Sequence, residues 1–438
     1  MTRRLPAAPD DGGERGAPIE LRFEGGAVRA FEGESVAAAL FASGTRVLAR
    51  SLKYHRPRTF FCMSGHCSGC LVRADGVPNL RACQIPCRPG LEIQGQNAYP
   101  SPDFDILGAV DFFFAGGMDH HTLMTGSRLL NKVANKVVRQ LSGLGTLPGH
   151  DDAVAPEVRS IEVDVCVIGA GPAGLAAAAA AARAGAHVLC LDEQLRAGGS
   201  LLTDPRHGVA AADAAVRDVH DAGAGLIAGA CAIAFYPEDA AGGVLAVAAP
   251  DGLLRVRARR WVWASGGYPV NLLFGDNDRP GVMAARGVGR LLVQHRVLAG
   301  GRICVVEDPG VAAYAGALAA ALHAAGAEVE RVAADAVERV RGRSWVKAVQ
   351  LRTGKKIDCD LVAVAAVPSP ASEGPRQHGC AVTLDPPRGG FRVVVDDDGH
   401  TTVADVLACG DVTGHLGPDA AAAMGARVGA VAAAEACP

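Results

Sequence analysis

Four cysteines, Cys62, Cys67, Cys70 and Cys83, form a C-x4-C-x2-C-x12-C pattern, with Cys87 just beyond. The first three lie in Phe61-Cys62-Met63-Ser64-Gly65-His66-Cys67-Ser68-Gly69-Cys70, a loop of small residues. Four thiolates converging from such a loop suit a two-iron cluster. Gly65 and Gly69 relax the backbone, Ser64 and Ser68 add little bulk, and loop amides can hydrogen-bond the sulfurs and tune their potential. Zinc competes, yet a zinc site usually shows two C-x2-C pairs and only Cys67/Cys70 form one here. A redox disulfide across the C-x4-C pair is disfavoured by the two further cysteines at matching distance. Plain buried thiols are the remaining alternative, and the reading given to Cys87.

A second constellation follows the apolar run Val163-Asp164-Val165-Cys166-Val167-Ile168, which reads as a strand buried in a parallel sheet. It leads into Gly169-Ala170-Gly171-Pro172-Ala173-Gly174 and a helix through Ala186, and a second strand, His187–Leu191, ends in Asp192-Glu193. A G-x-G-x-x-G between strand and helix, with an acid 18 residues past the last glycine, is a dinucleotide fingerprint. Gly169 makes the turn, Gly171 admits pyrophosphate to the backbone, and Gly174 lets the helix press on the strand. The helix N-terminus supplies free amide donors and a partial positive charge. Asp192 would accept from the ribose hydroxyls, with Glu193 as alternate if the strand ends one residue later. An acid there suits FAD or NAD and disfavours the 2′-phosphate of NADP.

The elements that must position these groups are legible. Ile19–Phe23 and Ala27–Phe31 read as a strand pair about a Gly25-Gly26 turn, and Glu34–Ala42 as a helix. That is the order of a β-grasp ferredoxin, and the cysteine spacing resembles plant-type ferredoxin domains fused into larger flavoenzymes. The 438 residues suffice for two to four packed units. With 49% hydrophobic residues, 20% charged and a net charge of −3, the chain is neither disordered nor given an electrostatic footprint for nucleic acid. Few aromatics and abundant alanine and glycine suit helices packed closely on a parallel sheet. The most apolar run, Leu175–Ala182, is too short to span a membrane, and residues 1–18 lack the apolar core of a secretory signal. A cytoplasmic location is expected, where clustered cysteines read as metal or redox groups before disulfides.

Two distant segments decide between FAD and NAD by resemblance. Trp261-Val262-Trp263-Ala264-Ser265-Gly266-Gly267 resembles the strand-plus-"ATG" segment of two-dinucleotide flavoproteins. Thr402-Val403-Ala404-Asp405-Val406-Leu407-Ala408-Cys409-Gly410-Asp411 resembles their closing FAD motif. The resemblance implies FAD contacts at Ala264, Ser265, Gly266 and Gly410, and at Gly199-Ser200 after the ribose acid. Asp411 would bind the ribityl chain or pyrophosphate, and a helix over Ala420–Ala434 would aim its N-terminus at the flavin. A degraded fold with an empty pocket is the alternative. A further βαβ pattern, with strand Arg302–Val306, a helix to His323 and a strand Glu328–Val332, carries Glu307 and Pro309 at its first two glycine positions and Ala312 at the last. A carboxylate there repels pyrophosphate and proline removes a donor, so NAD(P)H binding is expected to be lost or weakened. A loop rescued by Gly310, or another nucleotide, is the alternative.

Over residues 17–435 the chain resembles the α subunit of heteromeric sarcosine oxidase and the corresponding flavoprotein subunits of opine oxidases, proline or hydroxyproline dehydrogenases and hydrogen cyanide synthase. The likeness is strongest at Ser51-Leu52-Lys53-Tyr54-His55-Arg56-Pro57-Arg58, at Gln96-Asn97-Ala98-Tyr99-Pro100-Ser101 and at the FAD motifs. It implies an α/β fold, a two-dinucleotide-binding-domain flavoprotein with an N-terminal β-grasp 2Fe–2S ferredoxin-like domain. The expected divisions are a polar tail 1–16, the 2Fe–2S domain 17–97, a connector 98–158, the FAD domain in two parts 159–265 and 368–438, and a degenerate NAD-binding-like domain 266–367. The cluster would be held by Cys62, Cys67, Cys70 and Cys83. The resemblance implies a hetero-oligomer in which a smaller FAD-dependent subunit oxidises an amine or amino acid, an interface that can hold FMN, and an electron acceptor the sequence does not name. Attachment to the inner membrane would come only through partners. Sarcosine oxidase α continues into a folate-binding domain and many opine-type relatives into a cysteine-rich cluster domain. This sequence stops at Pro438 with only Cys437 beyond Cys409, so neither is expected.

No catalytic acid or base is assigned. No flavin-adjacent C-x2-C or C-x4-C pair suggests a disulfide reductase, since Cys166, Cys190 and Cys231 are isolated. The basic stretch Arg46–Arg58 reads as a solvated face or, more sharply, as a phosphate, flavin or partner contact. In the connector, Phe112-Phe113-Phe114 reads as packing and His120-His121 as structural. Rival readings of the whole are a self-contained NAD(P)H-dependent reductase feeding its own cluster, and a scaffold with an inert flavin.

Overall fold

The computed structural model describes residues 3–6, 15–52, 54–109, 129, 132–133, 157–237 and 243–437. The phenylalanine triplet and the histidine pair of the connector lie outside them.

The first unit is a five-stranded sheet in the order Gly26–Phe31, Pro18–Phe23, Glu92–Gln94, Leu71–Ala74, Val77–Arg81. Pro18–Phe23 pairs antiparallel with Gly26–Phe31 and parallel with Glu92–Gln94. Glu24 and Gly25, with φ of 51° and 77°, make the tight turn, and Gly26 already belongs to the next strand. The expected Gly25-Gly26 turn is thus one residue early in the structure, because a two-residue turn of this hand places positive φ at both central positions. The helix is Val36–Ala42, capped by the Ser35 hydroxyl on the Ala38 amide. Glu34, expected inside it, stands outside and holds Arg4 at 2.7 Å. Leu21, Leu40, Phe41, Phe60 and Ile93 are fully buried beneath the sheet, each worth about 1.5–3 kcal/mol of transfer free energy.

The expected polar tail is partly docked. Arg3 and Arg4 pair antiparallel with Leu298 and Val297, and Leu5 is buried. One apolar side chain and the Arg4–Glu34 ion pair pull this segment onto the protein. The nominal connector likewise begins as part of the first unit: Arg50 donates to the Pro102 carbonyl at 2.8 Å, and buried His55 meets Asp105 at 2.9 Å.

The second unit is a seven-stranded sheet in the order Gly225–Ala228, Val188–Asp192, Val158–Ile168, Gly252–Trp263, Val244–Ala249, Cys231–Tyr236, with Val406–Ala408 also on Gly252–Trp263. The strands from Gly225–Ala228 through Gly252–Trp263, and Val406–Ala408, run parallel. The helix Pro172–Arg183 lies against the C-terminal helix Pro418–Ala436. Alanine and glycine faces let two helix backbones approach this closely, since no larger side chain keeps them apart.

The third unit is a four-stranded parallel sheet in the order Val282–Ala284, Leu361–Ala365, Arg302–Glu307, Glu328–Ala333. Its helix Ala285–Val293 sits between units. One apolar cluster runs from Leu21 and Phe41 through Val288 and Leu291 to Val305 and Leu361. A Cβ at Gly287 would meet the Phe61 carbonyl oxygen at 2.5 Å, so this helix passes directly against the cysteine loop. Among the described residues no helix is long and apolar enough to cross a membrane.

Candidate functional site

The cysteine loop ends at the strand Leu71–Ala74, and Cys83 comes from the short turn Ala82–Gln84 after Val77–Arg81. Cys62, Cys70 and Cys83 are buried and Cys67 is half-buried. Cys62 Sγ lies 3.2 Å from Cys67 Sγ, and Cys83 contacts both Cys62 and Cys70. The Gly65 amide donates to Cys83 Sγ at 3.2 Å, and the Ser64 amide to Cys62 Sγ at 3.5 Å. Contact with Cys67 and then Cys83 draws the Cys62 thiol down, while Cys67 and Cys83 are pushed up by the sulfurs beside them. Four thiols so close cannot all ionise unless a cation compensates, which is what ligation supplies. Four thiols with loop amides aimed at two of them are a donor set that a two-iron group can share between its irons, so these residues fit it. Cys87 is buried, and that burial pushes its thiol up to about 12.

A cavity of about 500 Å³ lies along the dinucleotide loop. Gly169, Gly171, Pro172 and Ala173 form one wall; Gly199, Ser200, Ala264, Ser265, Gly266, Gly410, Asp411, Asp192 and Glu193 line the rest. Gly174 lies behind the wall, where a Cβ would stand 1.7 Å from the Gly169 carbonyl oxygen. The helix starts after Gly171 without a side-chain cap, so its first-turn amides have no side-chain acceptor. Cys62, Ser64 and His66 line this same cavity, and the cysteine loop and the dinucleotide loop therefore share one wall.

The two acids after Leu191 divide their tasks. The strand ends at Asp192, whose oxygens accept from the Ala170 amide at 2.6 Å and the Gln194 amide at 2.7 Å. Asp192 therefore braces the loop while lining the cavity; burial raises its pKa and the two amides pull it back. Glu193 turns outward, 3.5 Å from His66 Nδ1. Asp411 is similarly engaged, with Arg286 at 3.1 Å, His415 at 3.2 Å and the Leu416 amide at 2.9 Å. Burial pushes its carboxyl up, but the His415 and Leu416 hydrogen bonds and the Arg286 and His415 charges outweigh it and hold the group well below the usual carboxylate range. The Ser265 hydroxyl donates to the Ala371 carbonyl at 2.8 Å.

Sequence reasoning did not single out Gln194, Arg286, Arg290, Tyr268 or Glu373, which also line the cavity. Tyr268 packs on His66 at 4.7 Å and donates to Glu373 at 2.9 Å. Arg286 and Arg290 are four apart on one helix, a spacing legible in the sequence, but that helix falls in the segment assigned to the other nucleotide unit. There, Glu307 pairs with Arg331 at 2.7 Å, and Asp308 caps the Gly310 amide at 2.8 Å over a turn opened by Pro309.

Residues 16–98 match the profile of the 2Fe-2S iron-sulfur cluster binding domain, 167–235 that of the NAD(P)-binding Rossmann-like domain, and 284–434 that of the pyridine nucleotide-disulphide oxidoreductases. Sarcosine oxidase subunit alpha of Rhizobium meliloti is 35% identical over 340 residues, 72% of this chain and 34% of that protein. The chain thus spans about a third of that relative's length. Hydrogen cyanide synthase subunit HcnA of Pseudomonas aeruginosa is 38% identical over 81 residues, 18% of this chain and 77% of that protein. The crystal structure of L-proline dehydrogenase from P. horikoshii superposes with a TM-score of 0.71 at 20% identity, covering 95% of this chain and 73% of that one, a likeness of fold.

Proposed function

We propose that this chain, which belongs to the group of fused 2Fe–2S and flavin-type oxidoreductase chains that includes sarcosine oxidase subunit alpha, is the electron-relay subunit of a heteromeric amine or amino-acid dehydrogenase or oxidase. Its resident groups would be FAD and a 2Fe–2S cluster, its partner a smaller flavoprotein that oxidises the substrate, with FMN at their interface and a cytoplasmic location. The observation that carries this reading is the shared wall, with Cys62, Ser64 and His66 on the same cavity as Gly169–Ala173.

A bound flavin exchanges electrons in pairs or singly and an iron–sulfur centre singly, which is why the two are useful together. The chain's own residues supply the setting. Backbone amides at the start of Pro172–Arg183 would hold pyrophosphate oxygens, and Asp192 keeps the loop in place by holding the Ala170 amide. Arg286, locked to Asp411, places positive charge on the cavity wall. Cys62, Cys67, Cys70 and Cys83 would hold iron, and the Ser64 and Gly65 amides point at their sulfurs.

The test is purification from the native host, with cofactor extraction, iron and sulfide analysis and identification of any bound subunit. The expected result is flavin, iron and a second flavoprotein in one complex that turns over an amine or amino acid. A chain that oxidises such a substrate fully by itself sinks the relay assignment. Rapid reduction of its flavin by NADH favours the self-contained reductase instead.

A further inference from the structure

Arg290, on the helix Ala285–Val293, is 7% exposed and lies between the cysteine loop and the cavity. Its guanidinium is poorly satisfied. Nη1 reaches Gln194 Oε1 only at 3.4 Å, and Nε has no hydrogen-bond partner among the described residues. Burying a guanidinium is strongly unfavourable unless an anion answers it. Asp192 is near, but its two oxygens already accept from the Ala170 and Gln194 amides. Arg290 lines the cavity together with Cys62 and Arg286, and a neighbouring hollow together with Met63 and Cys83, so the groups left to answer its charge are those the four cysteines would hold.

Gln194 fastens this arrangement to both flanks of the cysteine loop. Its Nε2 donates to the Ser64 carbonyl at 3.0 Å, and its Oε1 accepts from Nε2 of Gln84, the residue after Cys83, at 3.2 Å. Gln194, the side chain that Arg290 reaches, is thus tied to the cysteine loop by contacts independent of any charge on the sulfurs. A two-iron cluster with four thiolates is a dianion when oxidised and a trianion when reduced, and net charge is one of the factors that set its potential. A fixed cation in a poorly solvated position favours the more negative form.

We infer that Arg290 is a positioning residue for electron transfer, a buried cation that raises the reduction potential of the cluster held by Cys62, Cys67, Cys70 and Cys83 and so makes that cluster the electron sink of the chain. This rests on the cluster reading given above and adds the group that sets its direction. It also accounts for a charged side chain buried on a helix whose other buried residues are apolar or small.

The experiment is an EPR-monitored potentiometric titration of the full chain at neutral pH, with iron and sulfide measured on the same samples, for wild type, R290M and R290K. R290M is expected to shift the cluster midpoint to a more negative value at unchanged iron content, and R290K to recover most of the shift. If R290M does not retain iron, Q194E takes its place. It keeps every cysteine and Arg290 but sets a carboxylate against the guanidinium, and its midpoint is also expected to fall. An iron-replete R290M, or Q194E where R290M loses iron, with the wild-type midpoint overturns the inference. A wild-type chain without iron overturns the cluster reading itself, and the iron analysis tells these two failures apart.

Discussion

In one βαβ unit the strand Val158–Ile168 runs into Gly169-Ala170-Gly171, and the helix Pro172–Arg183 opens with no side chain on its first-turn amides. In the other, Arg302–Glu307 runs into Asp308-Pro309-Gly310, Asp308 caps the turn, and Glu307 is locked to Arg331. The two share a strand, a turn and an alanine-rich helix on a parallel sheet. They differ in what occupies the turn: the first leaves room and donors for an anion, and the second fills the same place with its own carboxylates. The second has kept the frame for packing. Val305, Leu318, Leu322 and Leu361 are buried in the cluster that joins this unit to the ferredoxin-like sheet, and its helix Ala285–Val293 brings Arg286 and Arg290 to the cavity.

The largest expected effect separates the cysteine loop from the dinucleotide loop. Cys67→Ser should remove nearly all iron and the associated visible absorbance while flavin remains, as measured by metal analysis and by flavin fluorescence after denaturation. Retention of full iron would break the four-cysteine assignment.

Next comes the glycine loop. A Cβ at Gly171 has no neighbour nearer than Gly199 Cα at 3.9 Å, so Gly171→Ala should fold yet obstruct the approach of pyrophosphate. Flavin affinity should fall by about 10-fold or more, or about 1.4 kcal/mol. In the turn of the other unit, Gly310→Ala would press a Cβ against Val367 at 2.7 Å and cost some stability, but the folded chain should keep its flavin. Equal losses at both positions would erase the contrast between the units.

A smaller effect is expected at Glu307. Glu307→Ala should cost no more than about 1 kcal/mol in urea unfolding, because its Arg331 partner is partly exposed. NADH added anaerobically to the wild-type chain should leave the oxidised flavin spectrum unchanged. Bleaching would show that the second unit still binds nicotinamide.

The smallest concerns His400, set between Asp396 at 3.0 Å and Glu435 at 2.7 Å, which ties a loop to the C-terminal helix. The Glu435 hydrogen bond, aided by Asp396 and opposed by burial, raises its pKa above the ordinary 6.5. Its contribution is therefore complete below that value and lost as pH rises through the raised one. Replacing it by Asn should lower Tm by about 1–2 °C at pH 6 and by less at pH 9. A gap that widens with pH would contradict this sign.

Much of the site was readable because it depends on local chemistry. The cysteine spacing, the glycine loop and the Gly410-Asp411 segment each sit in a short stretch, and thirteen of the fourteen residues expected at the cofactor line one cavity. The exception, Gly174, is needed for close packing behind the wall. Other features escaped the sequence where a distant partner decides. Asp192 and Asp411 line the cavity as expected of residues at a cofactor, but their partners Ala170, Arg286 and His415 were not legible. The polar tail was unreadable as a docked strand because its partner, Val297–Leu298, is nearly 300 residues away. His55 read as part of a solvated basic face, and Asp105 buries it.

The order of residues alone determined that four thiols gather in a small-residue loop and that a strand, a glycine turn and a helix await a dinucleotide, since both follow from backbone geometry over a few residues. Only the tertiary structure decided that these two places share a wall, that the second glycine turn is closed by Arg331, and that Arg290 lies buried beside the sulfurs. Burial and charge pairing are set by the packing of segments far apart in the chain, and local spacing carries no record of which segments will meet.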